Sequence, residues 1–122
     1  MGLSDVRALT VSDENAADDD RLVTAARPNT SATMAQTTHA NGTARNVTVT
    51  TTGTGDNAKT CTITGTDVFG DAMTEVITST GSAATVAGTK LFLTVTAVEC
   101  SAQYAANIKV GSGTSCAQAI QG

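Results

Sequence analysis

Residues Lys59 to Thr78 read KTCTITGTDVFGDAMTEVIT, and the alternation inside them decides the fold class. Cys61 and Ile63 alternate with Thr60, Thr62 and Thr64, then Asp67, Gly70 and Asp71 interrupt, and Val76 and Ile77 resume apolar character between threonines. A period of two sends successive side chains to opposite faces of an extended chain, and β-branched residues suit that conformation. Two such runs around an Asp/Gly turn predict a β-hairpin.

The flanking sequence extends the pattern. Arg45 to Thr52, RNVTVTTT, places Val47 and Val49 on one face of a strand. Gly53, Gly55, Asp56 and Asn57 then form a loop. The stretch TTGTGDNAKT has neither the GK[ST] ending nor the following helix of a phosphate-binding loop, so it reads as a plain turn. Thr89 to Cys100 is the most apolar run and predicts a strand with Leu91, Leu93, Val95 and Ala97 on one face and Phe92 and Val98 on the other. With both faces partly apolar, that strand is central between two layers or covered by a neighbouring subunit. Ile108 and Val110 flank Lys109 in a closing strand. Short strands separated by turns, without a long helical period, predict an all-β protein, a small antiparallel β-sandwich or barrel. Val47, Val49, Ile63, Val76, Leu91, Leu93, Val95, Ile108 and Val110 are the expected core of an ordered region from about Arg45 to Val110.

The first 40 residues differ from the rest. They hold DENAADDD and the single proline, and no periodicity runs through them. The expected organisation is an N-terminal arm over 1–40, the β-core over 41–113 and a C-terminal tail over 114–122. Leu3, Val6, Leu9 and Val11 have a weak apolar spacing that fits a short helix or an extended segment. Asp13 to Asp20 is a run of like charge that prefers solvent or a basic partner. An EF-hand loop starting at Asp13 would need Gly at its sixth position and Glu at its twelfth, and this segment has neither, which speaks against calcium. Arg21 to Ala26 fits a brief strand or a turn of helix that Pro28 ends.

Composition narrows the function classes. The 122 residues make one domain with a thin core, since there are two Phe, one Tyr and no Trp. A net charge of −4 with seven scattered basic residues argues against nucleic acid as a partner. No apolar run approaches the roughly 20 residues that span a bilayer, so no membrane contact is expected. The start, MGLSDVRALTVSDE, lacks the regions of a signal peptide. It also carries Val6 where a myristoylation signal needs Ser or Thr. Cys61, Cys100 and Cys116 lack metal-ligand spacing and are expected to stay reduced, Cys61 and Cys100 as small buried hydrophobes. His39, the single histidine, has no Ser, Cys or carboxylate at motif spacing and reads as a surface or loop residue. Paired carboxylates can be drawn from Asp13, Asp18, Asp67, Asp71 and Glu75, but acid/base catalysis also needs a pocket and a raised pKa, which nothing in the sequence indicates. No enzymatic activity and no cofactor or metal is expected.

The hairpin wording GTDVFGDAMTEVIT, followed by GTKLFLTVTAVEC and ANIKVGSG, resembles small β-rich structural proteins of tailed-phage virions. In that family a TGTD-x-x-G-x-x-x-TE-x-IT hairpin, a T-K-x-F-x-TVT strand and an IKVG-like strand recur in one module. The resemblance covers roughly Arg45 to Gly113. It implies a capsid decoration (cement) protein, made in the host cytoplasm and carried on the virion surface in many copies. Its partners would be the major capsid protein and neighbouring copies of itself, with a trimer at local three-fold positions the state that class implies. The alternative is a head-fibre, tail or adhesin-type module binding a receptor or carbohydrate, which the shortage of aromatic rings disfavours. Leu3, Val6, Leu9, Asp13, Asp18, Asp19 and Asp20 are the residues expected to contact capsid or neighbouring subunits.

Overall fold

The computed structural model describes residues 18–39 and 43–117. Its strands are β1 (Asp18–Ala26), β2 (Ala44–Thr51), β3 (Thr60–Thr66), β4 (Ala72–Thr78), β5 (Thr85–Ala87), β6 (Thr94–Cys100) and β7 (Ile108–Ala117). No helix occurs among the described residues. The strands form two antiparallel sheets, ordered β1-β7-β2-β5 and β4-β3-β6. Their apolar faces meet in one core, giving the expected all-β sandwich.

The hairpin forms as its sequence predicts, with β3 and β4 in register from Thr60↔Thr78 to Thr66↔Ala72. Its turn is organised by Asp67, whose Oδ1 accepts the Phe69 and Asp71 N–H groups at 2.8 and 3.0 Å. The Asp67 carbonyl also accepts the Gly70 N–H at 3.0 Å. Gly70 takes φ +87°, a backbone state that a side chain disfavours. This geometry leaves Phe69 at the tip, 77% exposed.

Six of the nine expected core residues, Val47, Val49, Ile63, Val95, Ile108 and Val110, are buried. Val76 is not; it is 58% exposed, and Ile77 is buried in its place. The register explains the exchange: inward-facing Cys61 and Ile63 lie opposite Ile77 and Glu75, so Val76 shares the outer face with Thr62. Leu91 and Leu93 are only half-buried, whereas Phe92 and Val98 lie in the core. The expected strand over Thr89 to Cys100 starts only at Thr94, because Phe92 still exchanges backbone hydrogen bonds with Arg45 of β2. The chain then changes sheets at Leu93, whose N–H reaches the Thr66 carbonyl. Within β6, Thr64 faces Ala97 but Gly65 faces Val95, so Thr96 is an extra residue. This bulge lets Val95 and Val98, three apart, both point inward.

The N-terminal boundary also differs from expectation. Residues 18–26 are not part of an arm: β1 pairs with β7, and its Leu22 and Val23 are fully buried. Register shifts on either side of Val23 allow these consecutive residues to face the core together. The following segment runs antiparallel to β6, with bridges at Ser31↔Glu99 and Thr38↔Thr94. Its Ala35 N–H also bonds the Leu22 carbonyl of β1, so it ties the edges of the two sheets together. The expected tail is strand as far as Ala117, where β7 continues beside β2 through Arg45↔Cys116 and Ala44↔Ala117.

Candidate interaction surface

Asp18, Asp19 and Asp20 open β1, an edge strand, and all three are exposed. One carboxylate oxygen from each lies within 4.8 Å of the other two. Consecutive residues of a regular strand alternate faces, and the three carboxylates converge where the pairing of β1 with β7 is irregular, between Asp18 and Val23. Lys109 of β7 reaches across to Asp19 at 2.9 Å. That contact, mainly its hydrogen bond, raises the Lys109 ammonium above its ordinary value. A hydrogen bond shared with Asp18, some loss of hydration, and the charges of Asp18 and Asp19 raise the Asp20 carboxyl above its ordinary value. Like charges held this closely repel, and a basic partner placed against the edge relieves that repulsion. The local chemistry therefore suits attraction of Lys or Arg groups. Charge on an edge strand also blocks indiscriminate strand pairing.

Two other polar clusters lie in the interior. His39 Nδ1 shares a short hydrogen bond with Ser112 Oγ, and both residues are 2% exposed. The expectation of a surface or loop histidine is thus corrected, because the segment after β1 folds His39 against β7. Burial, then the charges of Arg45 and Arg21, lower its pKa to about 4. Arg45 is itself buried, donating Nε to Thr43 Oγ1 and Nη1 to the Gly113 carbonyl, both at 3.2 Å. A serine beside a histidine suggests nucleophilic acyl transfer, but that chemistry needs room for an acyl substrate at the hydroxyl, and this pair is enclosed. It is an internal hydrogen bond joining the segment 27–39 to the first sheet.

The second cluster closes one end of the sandwich. Asp56 Oδ1 accepts both the Lys59 ammonium and the Ala105 N–H at 2.8 Å. Burial pushes the Asp56 carboxyl up, but these two bonds and the nearby Lys59 and Arg27 charges hold it below its ordinary value overall. Lys59 also donates to the Gln103 carbonyl and sits 5.7 Å from the centre of the Tyr104 ring. The loop before β3 is thereby fastened to the loop before β7.

Of the expected contact residues, Leu3, Val6, Leu9 and Asp13 lie outside the described residues. Asp18, Asp19 and Asp20 are brought together as one acidic group. Two surface features were not anticipated: Lys109 as the counter-ion, and the exposure of Phe69 and Val76. The signal for Phe69 lay in its position between Asp67 and Gly70, which fixes it in the turn. Lys109 gave none, since its ion pair depends on the β1–β7 pairing. Among the described residues no helix is long and apolar enough to cross a membrane. Comparison with protein-family models, with characterised proteins and with solved structures gives no match to this chain.

Proposed function

We propose that this chain is a capsid decoration (cement) protein of a tailed phage, bound in many copies to the outer surface of the major capsid shell and stabilising it. The observation that carries the reading is the acidic edge of β1: three exposed carboxylates on a strand rim, with Lys109 held at only one of them. A rim of this kind supplies a charge-complementary docking line for basic groups of a shell subunit or of an adjacent copy. The Thr/Gly wording of the hairpin and closing strands, which resembles virion structural modules, supports the same reading. Repetition over a shell multiplies weak contacts, so a small sheet protein attaches firmly without a deep interface.

The test is rebinding of the purified protein to shells, lacking it, from the phage that encodes it. Occupancy in many copies over the shell is expected. The Asp18→Asn, Asp19→Asn, Asp20→Asn triple variant should keep the wild-type melting temperature and lose occupancy, most of all at low salt where screening is weakest. Absence of rebinding, or a few copies at a single vertex, overturns the cement reading. Unchanged occupancy of the triple variant removes the acidic edge as the contact.

A further inference from the structure

Cys61 and Cys100 are directly opposed across β3 and β6, their Sγ atoms 3.7 Å apart, and both are buried free thiols. The hydrogen-bond pattern shows which kind of pair they form. Ser101 N–H bonds the Thr60 carbonyl, while the Cys100 N–H points out of the sheet to the Thr30 carbonyl. Cys61 and Cys100 therefore occupy a non-hydrogen-bonded site, where facing side chains of an antiparallel pair stand closest. The Cα separation typical of such sites falls inside the range that a disulfide spans. Side-chain rotation can bring the sulfurs into bonding distance with the strands left in register.

We propose that Cys61 and Cys100 are an oxidation site, a dithiol that a small peroxide converts to a cross-strand disulfide within the folded protein. The inference does not rest on the proposed function. The first step is attack of the Cys61 thiolate on one peroxide oxygen; the O–O bond breaks, hydroxide leaves and Cys61 becomes a sulfenic acid. Cys100 sulfur then attacks the Cys61 sulfur, the S–O bond breaks, the S–S bond forms, and the departing oxygen leaves as water with the Cys100 proton. Overall two thiols lose two electrons and two protons, and one peroxide becomes two waters.

The surroundings assign the two roles. Hydrogen bonds from Cys100 and from the Tyr104 hydroxyl, 3.4 Å away, outweigh burial and draw the Cys61 thiol below its ordinary value. The hydrogen bond to Cys61, burial and the Cys61 charge push Cys100 the other way. The Tyr104 hydroxyl reaches Cys61 and not Cys100, so a Cys61 thiolate is the one that gains a hydrogen bond, and Cys100 is the thiol that resolves. Buried thiols exclude bulky disulfide oxidants, which is why the oxidant is a small peroxide. The bridge closes a loop containing β4 and β5, so the oxidised form has a more restricted unfolded chain.

The experiment treats the full native chain with hydrogen peroxide, then alkylates and maps non-reduced peptides by mass spectrometry. Wild type and Cys116→Ser should both lose the mass of two hydrogens and yield a Cys61–Cys100 linked peptide. Their melting temperature should rise by several degrees and fall back on reduction. Cys100→Ser should give no link and should leave Cys61 trapped by a sulfenic-acid reagent. Failure of Cys116→Ser to give the link in the folded state overturns the proposal, whether or not Cys100→Ser folds. So does a link through Cys116, or conversion to sulfinic acid without a link.

Discussion

His39 and Asp56 are both buried ionisable residues, held in opposite charge states by their neighbours. Asp56 stays ionised because the Lys59 ammonium and the Ala105 N–H compensate for lost water. His39 stays neutral because burial and two arginines oppose a further positive charge. Its folded pKa of about 4 lies below the ordinary 6.5, so the unfolded chain takes up the proton first as pH falls. The contribution of neutral His39 to stability is complete above pH 6.5 and lost as pH drops toward 4, by roughly 3 kcal/mol in all. Urea unfolding at several values between pH 7 and pH 4 should show this decline, and His39→Gln should flatten it. An equal slope in the variant would place the acid sensitivity elsewhere. Sequence offered no access to this behaviour, because Ser112 and Arg45 reach His39 only through the folded sheet.

The central hairpin shows how far local pattern carries at the level of an element. Alternation and the Asp/Gly turn identify both strands, and counting outward from the Asp67↔Asp71 closure would also have set their register. That count pairs Ile63 with Glu75 and Cys61 with Ile77, and it turns Val76 outward. Two neighbouring β-branched residues look equivalent until a register separates them. Ile77→Ala is therefore expected to cost about 2–5 kcal/mol, whereas Val76→Thr should stay within about 0.5 kcal/mol. Chemical denaturation of the two variants measures this directly, and similar losses would refute the register. The bulge in β6 lies beyond such counting. It depends on Gly65, where any Cβ would collide with the Thr94 carbonyl. The outer edge of β4 is blunted by Lys90, whose ammonium bonds the Thr74 carbonyl at 2.7 Å.

At the scale of the molecule, stability depends on joining two thin sheets whose core holds only Phe92 and Tyr104 as aromatic side chains. The chain stitches the sandwich along both sides. Phe92 pairs with Arg45 before β6 begins, and the segment after β1 bonds both Leu22 and β6. Amides of Leu22 to Ala26 should accordingly exchange as slowly as those of Ile108 to Ser112 in β7, measured by hydrogen-exchange mass spectrometry. Fast exchange across β1 with slow exchange in β7 would restore the arm expected over the whole of 1–40. The sequence by itself determined the all-β class, the central hairpin, the valine faces of β2 and the closing strand, because each rests on alternation and turn chemistry within a few residues. It also marked Asp18 to Asp20 as a dense acidic group. Only the tertiary structure decided that this group begins a sheet strand, that His39 is interior, and that Cys61 faces Cys100. Each of those outcomes depends on which distant strand supplies the neighbour. A period of two specifies two faces, but the pairing of strands far apart in the chain chooses which face meets the core.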